Sequence, residues 1–431
     1  MNIRSYRSIT SRSRSRSRLA IGPGSRRGIL VATLLTVVAT GVSACSGGSG
    51  DGNGPDARFI NFDRQALLAN LGENILLPVY RDFASSAGAL VTEVDAYCAA
   101  IDTADEATRL SAAQDAWRAS MGHWQLAEMM LFGPAALDAK TLRDKIYSWP
   151  VTSSCAIDQD VMELYTDPGA YDINTRLTNR RGLDALEYAL FAPTLETTCP
   201  PQIEPAGWAA LDQVTRTAAR CSFAQRAAQD LAVQSAAVLA AWEPGQGNYL
   251  GDFSSAGESG SSFGSAHEAV NAVSNALFYA DAEVKDMKLG QPAGIVINIC
   301  NTVQEPCLDE LESPFARHSR ENIAANLTAF DMIFHGYGPG QSPDDPGAIG
   351  FDDFLVAGGG DALATTMTAD IRAAIAASEA IPGSLATALG DDYPSVVATH
   401  TAVKIVTDNL KSQFLTILGL DLPDGAAGDN D

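Results

Sequence analysis

Alternating apolar–polar runs are almost absent from this sequence, and without them no β-sheet is expected. Histidine is scarce, at five in 431 residues, which limits imidazole-based metal or acid–base chemistry. No phosphate loop, dinucleotide fingerprint, close Cys-x-x-Cys pair or His-Glu-x-x-His string occurs. His267-Glu268 is followed by Asn271, so the second histidine of a zinc-protease helix is missing. One Gly-x-Ser-x-Gly string, GSSFG at 260–264, lies in a Gly/Ser-rich stretch with no strand before it and does not make a nucleophile elbow.

Positive charge is also scarce beyond position 44. All 52 acidic residues follow that point, against 21 of the 29 basic ones, leaving a formal charge near −31. Such a field disfavours nucleic acid and anionic membrane surfaces and attracts cations. The segment before it reads differently. Arginine alternates with serine over 11–18, Arg26 and Arg27 precede the short apolar run ILVATLLTVVATGV, and Val42-Ser43-Ala44-Cys45 closes it. A basic region, a short apolar core and small residues before a cut describe an export signal over 1–44, not a spanning helix. Cys45 resembles a bacterial lipobox cysteine, lipidated at the new N-terminus and anchoring the chain to a membrane. Residues 45–59 then form a flexible Gly/Ser/Asp tether, and Ser46 is compatible with outer-membrane sorting.

Six cysteines remain, and an even count in an exported chain predicts up to three disulfides. Cys300 and Cys307 are the simplest pair, across NTVQEP; how Cys98, Cys155, Cys199 and Cys221 combine is left open.

What is abundant is helical periodicity. Apolar residues recur at helical spacing over 61–94, with Pro78 as an expected kink or break, and again over about 103–130. Arg180 to Phe191 reads as a short helix stopped before Pro193, and 203–241 as a long one. Further helices are expected over 266–286, 308–335, 359–388 and 394–418, with 336–350 a loop. The fold class is therefore all-α, as two antiparallel helical-bundle domains at 60–243 and 265–425. A Gly/Ser-rich linker or loop at 244–264 separates them, and an acidic tail at 426–431 follows.

Two patterns draw attention as candidate sites. GHWQLAEMMLFGP at 122–134 and NRRGLDALEYALFAP at 179–193 share Glu, two residues, Leu-Phe, a small residue and Pro. Two helices presenting Glu128 and Glu187 to each other, with Asp184 one turn before Glu187 and His123 nearby, would make a carboxylate-rich pocket. Buried like charges share a proton or hold a cation, and oxygen ligands suit hard cations such as iron or calcium. The competing reading pairs Glu128 or Glu187 with Arg118, Arg143, Arg176, Arg180 or Arg181. The second pattern is a repeated stripe, His267, Asn271, Asn275 and His318, Asn322, Asn326, each at steps of four along one helix face. It reads as a solvated face, a buried amide network or a ligand site.

Across 60–428 the chain resembles the imelysin-like family of exported bacterial proteins. The resemblance rests on NLGENILLPVYRDF at 70–83, the Trp117-to-Pro134 phrase, Trp149-Pro150, the phrase around Glu187, KDMKLGQPAG at 285–294, ESPFARHSRENIAANLTAF at 312–330 and LGLDLPDG at 418–425. It implies a helical fold in two bundle-like halves, often lipid-anchored, and a connection with iron uptake. The family's Gly-x-His-x-x-Glu string stands here as Gly182-x-Asp184-x-x-Glu187, so its histidine is replaced by a carboxylate. The expected function is a non-catalytic, lipid-anchored envelope protein of the outer membrane, facing periplasm or surface, that binds a metal or metal-containing ligand in iron acquisition. An imelysin-type metallopeptidase and an adaptor docking onto an envelope transporter or receptor are the alternatives.

Overall fold

Helix follows helix from Arg64 to Leu418 in the computed structural model, which describes residues 60–301, 303–423 and 426. The leader, Cys45, the tether and the acidic tail beyond 426 lie outside the described residues. Helix α1 covers 64–100, α2 Glu106–Glu128, α3 Leu137–Ile146, α4 Ser154–Thr166, α5 Gly182–Phe191 and α6 Gln213–Trp242. The short α7, Tyr249–Ser254, leads to α8, Ala266–Leu277, and then to α9 over 280–293. Helices α10 (Ser319–His335), α11 (Phe351–Ala357), α12 (Asp361–Ala380), α13 (Leu385–Asp391) and α14 (393–418) complete the chain, and no strand occurs among the described residues.

Local chemistry sets these boundaries. Side-chain oxygens of Asp63, Ser153, Asp212, Ser265 and Ser384 each accept a backbone N–H of the helix they precede. Gly336 and Gly419 end α10 and α14 in the left-handed conformation. Pro78, expected as a kink or break, does not break α1. A π-helical turn at Leu71–Leu76 precedes it, so the hydrogen-bond ladder is already locally altered where the proline has no N–H to donate.

A single cluster of buried apolar side chains extends from Ile60 to Leu420. In it α1 packs along both α2 and α6, α12 packs on α14, and α10 reaches across to α2. The indoles of Trp117, Trp124, Trp208 and Trp242 are among its largest fully buried side chains. The 244–264 segment, expected as a linker or loop, carries α7. There Phe253 is fully buried and stacks among Trp242, Phe132 and Phe263. The Gly/Ser composition that suggests a linker supplies turns around this aromatic plug.

Three expected helices are shorter than their periodicity suggests, the 359–388 helix ending at Ala380 before the separate α13. The 203–241 helix starts at Gln213. The 308–335 helix starts at Ser319, leaving 311–318 as a loop with Ser313 and Arg317 at positive φ. The six cysteines of the described residues all pair: Cys98 with Cys221, Cys155 with Cys199, and Cys300 with Cys307.

Candidate functional site

Gly182 starts α5 at φ +78°, and a Cβ there would lie 2.3 Å from the carbonyl oxygen of Ile146 at the end of α3. Only glycine permits this approach. Arg181, just before it, is buried and forks onto Asp230 of α6, with Nε 2.7 Å from Oδ2. The start of α5 is thus pinned from both sides, and this delivers Asp184 to the chain leaving α3. There Asp184 Oδ2 accepts the Ser148 N–H at 2.5 Å and the Ser148 hydroxyl at 3.2 Å.

One turn on, Glu187 Oε1 accepts two backbone N–H groups, from Phe315 and Ala316, both at 2.9 Å. The 311–318 loop is curled so that successive amides point at one oxygen, an anion-binding nest. Among the described residues the other oxygen, Oε2, takes no hydrogen bond. Asp184 and Glu187 are 6% and 4% exposed and share the wall of a cavity of about 700 Å³. Burial raises the Asp184 carboxyl to about 6, against the opposing pull of the Ser148 N–H. Burial raises Glu187 to about 8, reinforced by the nearby charges of Asp184 and Glu312 and only partly opposed by the Phe315 and Ala316 amides.

Glu128 does not join them. It lies fully buried in an adjoining polar knot, with Arg143 Nη2 at 3.0 Å, Lys288 Nζ at 3.3 Å and the Tyr279 hydroxyl donating at 2.7 Å. Burial pushes its carboxyl up, but Lys288 and Arg143 outweigh that and hold it below the usual range. Lys288 is the centre of the knot, reaching Gln125 Oε1 at 2.6 Å, Asn326 Oδ1 at 2.8 Å and Glu312 Oε1 at 2.9 Å. Glu312 Oε1 also accepts from Gln125 at 3.0 Å and the Tyr147 hydroxyl at 2.8 Å, while its buried Oε2 has no hydrogen-bond partner. Side chains from α2, α3, α9, α10 and the 311–318 loop therefore meet in one largely buried knot, whose Glu312 lies in sequence between Leu311 and Ser313 of the cavity lining.

The proposed Glu128–Asp184–Glu187 set with His123 is thus divided. Glu128 takes the arginine pairing that sequence offered as its alternative, with Arg143. His123 is half-buried on α2 and is not among the residues lining the cavity. Among the described residues no three His, Cys, Asp or Glu side chains converge as a resident metal ion requires. The two His/Asn stripes also part company. Asn271 on α8 bonds the backbone N–H of Asp421 at 2.8 Å, Asn275 is exposed and His267 is half-exposed. On α10, Asn322 and Asn326 are fully buried, donating to Ser313 Oγ at 3.0 Å and to the Gln125 carbonyl at 2.7 Å, while His318 packs edge-on against Trp117. The first stripe is a surface; the second is a buried amide network feeding the knot.

Sequence reasoning passed over Lys288, Glu312, Tyr147 and Tyr279. The signals for two of them are present: a lysine doublet, KDMK, in a helix that also carries Val284 and Leu289, and Ser313-Pro314 immediately after Glu312, which disfavours helix there.

These features define a class: all-helical proteins with a carboxylate-walled cavity backed by a buried ion-pair knot. The chain belongs to the imelysin family, whose model, Imelysin, matches residues 76–412. Among solved structures it is similar to a candidate iron-regulated protein A precursor from Parabacteroides distasonis, at 20% identity and TM-score 0.65, covering 82% of this chain and 95% of that one. It is also similar to an Imelysin-like protein from Psychrobacter arcticum, at 20% identity and TM-score 0.60, covering 84% and 98%. No curated protein matches the chain.

Proposed function

We propose that this is an exported, lipid-anchored protein of the cell envelope that holds positively charged cargo of iron acquisition in the Asp184–Glu187 cavity and does not transform it. The observation that carries the reading is Glu187, a deeply buried carboxyl whose Oε2 takes no hydrogen bond among the described residues and whose nearby charges are the carboxyls of Asp184 and Glu312. A cation entering the cavity supplies the missing countercharge. The leader and Cys45 support export and anchoring, and three disulfides belong to an oxidising compartment. The description of one similar structure as iron-regulated supports iron as the cargo's metal. A hydrolytic role has less support: Asp184 replaces the imidazole of the family string, and no histidine lines the cavity.

Calorimetric titration of the purified body with Ca²⁺, ferric nitrilotriacetate and a cationic ferric trihydroxamate chelate tests the reading. At least one probe should bind, and Asp184→Asn with Glu187→Gln should weaken it tenfold or more. Binding by none, or binding unchanged in the double variant, would sink it. Chelator-sensitive peptide cleavage lost on Glu187→Gln would replace it with the peptidase.

A further inference from the structure

The cavity is larger and more apolar than a bare ion needs. At about 700 Å³ it has the size of sites that enclose whole organic ligands, and more than twenty times the share of liquid volume that one water occupies, roughly 30 Å³. Beyond Asp184 and Glu187, its lining combines an aromatic and aliphatic part, Trp149, Tyr188, Met287 and Phe315, with polar groups that include Asp309 and Glu310. Its mouth carries Ile299 and Leu308, 67% and 52% exposed, which immediately flank the Cys300–Cys307 bridge. The Ile299 N–H donates to Glu310 Oε1 at 2.7 Å, so the bridge and this bond together hold an apolar lip over the opening. Hard cations gain nothing from the apolar part of this lining, because thioether, indole and alkyl groups cannot replace their hydration. The carboxyls supply negative charge, but among the described residues no three of them converge into a coordination sphere.

We infer that the occupant is a bulky organic cation: a molecule with an apolar face against Trp149, Tyr188, Met287 and Phe315, and a positive charge at Asp184 and Glu187. Two sources share that chemistry, a metal chelate with net positive charge and a metal-free organic ammonium. In either, the site supplies countercharge and apolar contact and leaves the inner coordination of any metal to the cargo itself. This rests on the proposed binding role of the same cavity and names its ligand class.

The test uses four probes on the folded body: a ferric trihydroxamate bearing a free ammonium, the same chelate acetylated at that nitrogen, its metal-free form with the ammonium intact, and ferric nitrilotriacetate. The cationic chelate or its metal-free form should bind at least tenfold more tightly than both the acetylated chelate and ferric nitrilotriacetate. Ile299→Ser and Leu308→Ser alter only exposed side chains, so the fold is retained. They should weaken the preferred probe three- to tenfold and leave ferric nitrilotriacetate unchanged. If the metal-free form matches the chelate, the source is an organic ammonium and the inference stands. Equal affinity for the acetylated chelate, or tightest binding of ferric nitrilotriacetate with loss in Asp184→Asn, would overturn it while preserving the broader binding role. Absence of binding by every probe would remove both.

Discussion

Glu187 retains a proton in the folded chain at pH values where the unfolded chain has lost it. Its carboxyl rises from an ordinary 4.5 to about 8, so the stability it contributes is fully present below 4.5, declines as pH rises and is gone above about 8. Glu187→Gln still accepts the Phe315 and Ala316 amides but cannot ionise. Urea unfolding at pH 4.5 and pH 9 should show the wild-type decline shrinking in this variant by on the order of 3 kcal/mol. The same proton opposes cargo, because a cation favours the ionised pair. Affinity for a cationic probe should therefore rise between about pH 6 and 8, where the two groups titrate, and level off above; titration in buffers of different ionisation enthalpy would reveal the released proton. Lys288 presents the opposite case. It is the countercharge that Glu128 and Glu312 share, so Lys288→Met leaves Glu312 uncompensated and Glu128 with Arg143 alone, and should cost about 3–5 kcal/mol. Adding Glu128→Gln should recover part of that loss, and simple additivity in the double-mutant cycle would refute the coupling.

At the scale of elements, the helices were largely legible and the site only half so, for a physical reason. Apolar periodicity reports which face of a segment is buried, and that information is local. It found the cores of α1, α2, α5 and α14. It could not find the 311–318 loop, because Ala, Asn and Leu continue at helical spacing on its far side while Pro314 and the curled Ser313–Arg317 backbone break the helix. Asp184 and Glu187 were visible through their spacing of three, which puts both on one face. Glu128 looked equivalent by its phrase, yet its partner Lys288 lies 160 residues away; no local pattern encodes that pairing. The start of α5 shows how tightly an element can be specified. Gly182→Ala must place a methyl carbon against the Ile146 carbonyl at a positive φ, which should destabilise by roughly 2–3 kcal/mol. It should also loosen the Asp184–Ser148 contact, so a weakened cationic probe in a still-folded variant is expected. A variant with unchanged stability would show that α5 is not pinned there.

Over the whole molecule, the three disulfides do unequal work because they close loops of very different length. Cys98–Cys221 ties α1 to α6 across 123 residues, whereas Cys300–Cys307 spans 7. In the chain-entropy account the first removes far more freedom from the unfolded state, about 5 kcal/mol against about 2 kcal/mol. The helices it joins also pack extensively, so the native geometry persists without the bond and the cost falls mainly on the unfolded side. Replacing Cys98 and Cys221 together by serine should therefore lower unfolding free energy by several kcal/mol with near-unchanged helical circular dichroism. Replacing Cys300 and Cys307 should cost less than half as much globally. The short bridge is sited for a different effect, since its neighbours Ile299 and Leu308 form the lip of the cavity. Its loss should therefore register mainly in the affinity for a cationic chelate and only weakly in global unfolding. If both replacements shift stability equally and neither alters binding, the bridge at the mouth is a staple like the other and the lip does not depend on it.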